Sequence, residues 1–105
     1  MQTNELITLI NNELKSVKAN DLVWIMVKPD NDYTDNLAIV TGTSTTHIKA
    51  IANNIVDKLS KIGYDQVNIE GENPGNWILI DLIGIVIHVQ DQSTRDYYGI
   101  EEMYS

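Results

Sequence analysis

The sequence predicts an α/β fold: one domain in which a mixed five-stranded sheet is flanked by helices. Three observations predict it. The longest apolar stretch, Trp77 to Gln90 (WILIDLIGIVIHVQ), alternates with period two around Ile83-Gly84, the pattern of two antiparallel strands joined by a hairpin turn. Between Ile48 and Ile62 the apolar residues recur instead every three or four positions, which is helical spacing. The resulting order is helix, two strands, helix, three strands, short helix. It closes into one sheet only if the long helix carries the chain across as a crossover, which makes the sheet mixed.

The elements follow in order. A first helix starts at Thr3 or Asn4 as its cap, with Glu5 set favourably against the helix dipole, and runs to about Lys18. Its stripe is Leu6, Ile7, Ile10, Leu14 and Val17. Leu22 to Val27 is a continuous apolar run, as expected of a strand buried on both faces. Residues 28–35 (KPDNDYTD) concentrate turn formers and read as a loop. Asn36 to Thr41 is a second buried strand. Gly42, Thr43 and Ser44 then turn the chain into its longest helix, with Thr43 or Ser44 as cap, and Ile48, Ile51, Ala52, Ile55, Val56, Leu59 and Ile62 form its apolar face. Lys58 and Lys61 suit the C-terminal dipole, and Gly63 suits a left-handed residue just past the end. Gln66 to Glu70 is a third strand, residues 71–75 (GENPG) are a turn, and a short helix from Ser93 to Tyr98, capped by Ser93, follows the hairpin.

If Ile83-Gly84 is a two-residue turn, Leu82 faces Ile85, Ile80 faces Ile87 and Ile78 faces Val89. One side of the ribbon is then purely aliphatic and belongs to the core. The other side carries Trp77, Leu79 and Asp81 beside Val86, His88 and Gln90. An aromatic mixed with a carboxylate and an imidazole is what a partner-binding surface needs. Tyr97, Tyr98 and Tyr104 either extend that aromatic surface or cover the sheet edge.

Several classes are excluded or disfavoured. A net charge of −8 with seven scattered basic residues argues against nucleic-acid binding. It suits a basic partner, and equally suits solubility alone. No apolar run reaches the roughly 20 residues of a membrane span. The N-terminus has neither signal-peptide nor transit-peptide character, which points to the cytoplasm. With no cysteine there is no disulfide, zinc-finger spacing or thiol nucleophile. The VTGTS segment at 40–44 sits where a helix start could hold an anion. It lacks the lysine and spacing of a P-loop, and no glycine follows Ser44 at the spacing of a nucleophile elbow, so Gly42 and Ser44 read as a turn and an N-cap. His47 and His88 lack a spaced ligand set, and Asp81 has no strand-borne partner acid for two-metal chemistry. No catalytic residue, metal or cofactor is expected.

The segments TGTSTTHIKAIA, IEGE, W-x-x-x-D, VIHVQ and RDYYGIEEMY, in that order, resemble the ribosomal silencing factor family (RsfS, also called Iojap) over nearly the whole chain. The matching positions are Thr41, Gly42, Ser44, His47, Ala50, Glu70, Gly71, Trp77, Asp81, His88, Arg95 and Tyr98. The resemblance implies a nucleotidyltransferase-like fold without enzymatic activity. It implies binding to a basic large-subunit ribosomal protein, the one numbered fourteen, at the intersubunit face. Docking there would block joining of the small subunit and repress translation when nutrients are scarce, and the free protein could form a homodimer. The implied contact set is Trp77, Leu79, Asp81, His88, Glu70 and Tyr98. Thr46 stands where the family usually has Arg, Ile83-Gly84 where the turn usually reads Gly-Asp, and Met103-Tyr104 where a Leu-Trp pair is usual. The alternatives are a large-subunit assembly factor, or a nucleotidyltransferase-like enzyme holding phosphate at the Gly42–Ser44 turn and metal at Asp81.

Overall fold

Helix α1 (Thr3–Ser16) is followed by strands β1 (Asn20–Met26) and β2 (Asn36–Thr41), helix α2 (Thr45–Lys61), and strands β3 (Asn68–Glu70), β4 (Trp77–Leu82) and β5 (Ile85–Gln90). Two short helices, α3 (Gln92–Tyr98) and α4 (Ile100–Met103), complete the chain in a computed structural model that describes residues 2–27 and 36–103. The loop expected at 28–35 and the side chain of Tyr104 lie outside the described residues. The five strands form one sheet in the order β1-β2-β5-β4-β3. Only β2 and β5 run parallel, because α2 and the β3–β4 segment return the chain before β5 docks. The other three pairs are antiparallel.

The hairpin has the register the alternation predicts, with Leu82 opposite Ile85, Ile80 opposite Ile87 and Ile78 opposite Val89. A two-residue turn works with isoleucine in it because the left-handed conformation falls on Gly84 (φ +77°), not on Ile83. The aliphatic face meets α1 and α2. Ile78, Ile80, Ile87 and Val89 are closed off from solvent by Leu6, Ile10 and Leu14 of α1 and by Ile48, Ile51, Ile55 and Leu59 of α2. Trp24 of β1 packs on the same cluster, and its indole N–H donates to Asn11 Oδ1 of α1 at 2.8 Å.

Caps set the helix ends. Ser44 takes the N-cap of α2, its hydroxyl accepting from the His47 N–H at 3.0 Å. At the far end Gly63 (φ +83°) lets the Tyr64 N–H reach the Leu59 carbonyl at 2.9 Å, so the last turn closes on itself. Gly42 is fixed by space: a Cβ there would stand 2.6 Å from Ile48 Cγ1, where β2 runs into the packed first turn of α2.

Four expectations need correction. Strand β1 is not buried on both faces; among the described residues it is an edge strand paired only with β2, half-buried along its middle and with Met26 77% exposed. Its register shifts between Asn20 and Val23, where Asp21 takes φ +53°. Strand β3 spans three residues, not five. Helix α1 begins one residue earlier than a Thr3 cap, and two earlier than an Asn4 cap, would have it, with Gln2 at the N-cap and its N–H donating to Glu5 Oε1 at 3.5 Å. Helix α3 is capped by Asp91 rather than Ser93, because the Asp91 carboxylate lies 2.8 Å from the Thr94 N–H, and a further turn, α4, follows Gly99.

Candidate functional site

The sheet face turned away from α1 and α2 is only partly covered. Pairing lays its side chains out in cross-sheet rows. Ile39, His88, Leu79 and Glu70 stand side by side across β2, β5, β4 and β3. The next row towards α3 is Thr41, Gln90 and Trp77, and the row on the other side runs Leu37, Val86 and Asp81. A second, smaller core forms where Leu37, Ile39 and Ile100 pack with Ile25, Val86 and one side of Trp77.

Trp77 is half-buried and held from two sides. Its indole N–H donates to His88 Nδ1 at 3.0 Å, with ring centroids 5.8 Å apart. Tyr98 of α3 lies against it at 4.7 Å, and Tyr97 meets Tyr98 edge-on at 5.0 Å. An acceptor at Nδ1 fixes His88 as a neutral ring. Burial reinforces this by holding its pKa down at about 4, against an ordinary 6.5. Trp77, His88, Tyr98, Ile100 and Met103 enclose a cleft of about 310 Å³. Tyr97, Tyr98 and Met103 face solvent around it, at 83%, 52% and 71% exposure.

Of the residues singled out from sequence, Trp77, His88 and Tyr98 are in direct contact. Leu79 sits beside His88 across the hairpin and is half-buried; Glu70 and Asp81 are exposed on the same face. Gln90 does not belong to the open surface: it shares the face but is fully buried between Thr41 and Trp77. Gly42 and Ser44 lie elsewhere, at the β2–α2 junction, and have the structural roles given above. That junction is also crossed by His47. Its Nδ1 accepts from the Thr43 N–H at 2.9 Å and its Nε2 lies 2.8 Å from the Val17 carbonyl, tying the end of α1 to the start of α2. Side chains therefore already occupy the Thr43 and His47 N–H groups that a phosphate at this turn would use. Among the described residues no three His, Asp or Glu side chains converge as a metal site, and no helix is long and apolar enough to cross a membrane.

Arg95 is among the positions that match the family pattern, but the sequence does not reveal its partners. It is 7% exposed, its Nη1 donates to Thr41 Oγ1 at 2.8 Å, and its Nε pairs with the Glu101 carboxylate. The guanidinium thus pins α3 to the end of β2 and to α4. Hydrogen bonding from Arg95 also holds the Glu101 carboxyl below its usual range. Thr41 is 54 residues away in the chain, so no local spacing announces the contact.

Charge is divided along the chain. Beyond Lys61 there are eight acidic residues (Asp65, Glu70, Glu72, Asp81, Asp91, Asp96, Glu101, Glu102) and one basic residue, the buried Arg95. The described lysines lie in α1, just after it, or in α2. The half bearing the aromatic cleft is the acidic one.

A family model described as "Ribosomal silencing factor during starvation" matches residues 1–105. The "Ribosomal silencing factor RsfS" of Haemophilus influenzae is 30% identical over 100 residues, 95% of this chain and 98% of that protein. "Mitochondrial assembly of ribosomal large subunit protein 1" of Mus musculus is 33% identical over 102 residues, 94% of this chain and 45% of the mouse protein. A crystal structure of a Chromobacterium violaceum protein superposes with a TM-score of 0.93 at 32% identity, covering 99% of this chain and 87% of that one.

Proposed function

Because the chain belongs to the ribosomal silencing factor family, we propose that it is a non-catalytic, cytoplasmic repressor of translation whose residues 1–105 act as one docking unit. The Trp77 face binds a basic large-subunit ribosomal protein, the one numbered fourteen, at the intersubunit face. The bound domain then keeps the small subunit from joining when nutrients are scarce. Trp77, Leu79, Asp81, His88, Glu70 and Tyr98 form the contact, and the free protein can pair with a second copy.

One observation carries this reading: an aromatic cluster stays open on the sheet face opposite α1 and α2, within the acidic half of the chain. Rigid aromatics at the centre of a contact supply most of its energy, and complementary charge speeds and orients encounter. Trp77 suits the anchor role because His88 already satisfies its only polar atom, so docking leaves no indole N–H unpaired. The enzyme alternative is weaker, since the Thr43 and His47 N–H groups at the start of α2 are engaged internally and Asp81 belongs to no cluster of three His, Asp or Glu side chains among the described residues.

Sucrose-gradient sedimentation tests the proposal. The protein travels with large subunits and not with small subunits or joined ribosomes, and excess protein shifts a reassociating mixture towards free subunits. Trp77→Ala weakens docking roughly thirtyfold, about 2 kcal/mol, as expected for an aromatic anchor. Co-migration with joined ribosomes overturns the steric block. The mouse relative's name favours a second reading, large-subunit assembly, in which the protein sediments with immature large particles and its depletion lowers the yield of mature ones.

A further inference from the structure

The cleft beside Trp77 restricts what can enter it. Its volume of about 310 Å³ lies at the bottom of the ~300–1,000 Å³ range typical of small-molecule sites, so it fits one large side chain better than a cofactor. Its lining is uncharged. The indole N–H of Trp77 is paired with His88, the His88 ring is neutral, and Ile100 and Met103 are apolar. The walls are also fixed in place: Trp77 is held by His88, while Arg95 anchors the helical wall through Thr41 and Glu101. A four-residue helix has little stability of its own, so α4 keeps its place through these contacts and the buried Ile100. A pre-formed uncharged cleft binds apolar groups with little ordering cost. Exposed Asp96 and Glu102 stand next in sequence to Tyr97 and Met103, in the acidic half of the chain.

We propose that the cleft is a socket for one bulky uncharged side chain presented on a basic protein surface, the apolar group entering between Trp77 and Met103 while neighbouring lysines or arginines meet the acidic rim. This rests on the docking reading above and narrows it from a face to a pocket. It assigns Met103 and Ile100 a part in recognition and limits the partner to surfaces where a large apolar residue stands among cations.

Equilibrium binding to purified large ribosomal subunits tests it with three variants beside Trp77→Ala. Met103→Lys places a cation at the socket mouth and lowers affinity tenfold or more, because it opposes both the apolar insert and its basic surroundings. Met103→Leu stays within about twofold of the parent, and so does Asn12→Lys, which makes the same charge change on the exposed side of α1. Met103 is exposed at the end of α4, so circular dichroism remains native in both of its variants. If Trp77→Ala weakens binding while Met103→Lys matches the parent, the partner lies on the face without entering the cleft: the socket is overturned and the docking reading stands. If neither change affects binding, both fall. If Met103→Lys instead abolishes a dimer of the free protein in sedimentation equilibrium and leaves subunit binding intact, the occupant is a second copy and the proposal is overturned.

Discussion

The two faces of the sheet are made by the same strands and have opposite characters. On the helix side the hairpin contributes only Ile, Leu and Val, all of them buried. On the other side, residues one position along are Trp77, Leu79, Asp81, Val86, His88 and Gln90, and of these only Gln90 is buried. The two tryptophans show the contrast in miniature. Trp24, on the helix side, gives its N–H to Asn11 and ties an edge strand to α1; Trp77 gives its N–H to His88 and keeps its aromatic surface near solvent. A strand's period of two lets one segment specify a core and a recognition surface independently, provided the register does not slip.

Four measurements sharpen or break that division. The largest effect belongs to the core: Ile80→Ala lowers unfolding free energy by about 2–5 kcal/mol in urea titration, because a fully enclosed side chain leaves a cavity. It should leave subunit binding per folded molecule unchanged, and a matching loss of affinity would show that the faces are coupled.

Next is His88, whose folded-state pKa of about 4 lies below the ordinary 6.5. Between those values the unfolded chain takes up a proton that the native protein does not. The contribution is therefore complete above pH 6.5 and is lost as pH falls towards 4, to an upper figure of about 3 kcal/mol. His88→Gln retains an acceptor for Trp77 and flattens stability in that window. An unchanged slope would mean that His88 is not the group responsible.

Trp77→Ala comes third. Its effect of about 2 kcal/mol on docking exceeds its effect on stability, since the side chain is only half-buried. A larger loss of stability than of docking would reclassify Trp77 as core. The smallest effect is Lys61→Ala, which removes the 3.1 Å surface pair with Asp57 and changes stability by under about 0.5 kcal/mol and docking not at all.

Much of this division is legible in the sequence because alternation and helical spacing are local. The hairpin register and the α2 stripe follow from them directly, and the cap of α2 is narrowed to Thr43 or Ser44. Position within the sheet is not local: the run from Leu22 to Met26 is apolar enough for an interior strand, and its place at the edge depends on which strands lie beside β2. The same limit hid the pairing of Arg95 with Thr41 and the burial of Gln90, which alternation alone places on the open face. At the start of α3, Asp91 and Ser93 are both good caps, and only the backbone path chooses between them.

The irregular start of β1 has a consequence for the chain's company. An edge strand with an unpaired row of N–H and C=O groups invites another molecule to add a strand and continue the sheet into a fibre. Here the register shift between Asn20 and Val23, with Asp21 in the left-handed region, spoils the flat template at one end of that edge. At the opposite edge, β3 offers three residues, two of them the polar Asn68 and Glu70. Among the described residues neither margin presents a long regular ladder, so protection from aggregation is built into the backbone as well as into the net charge.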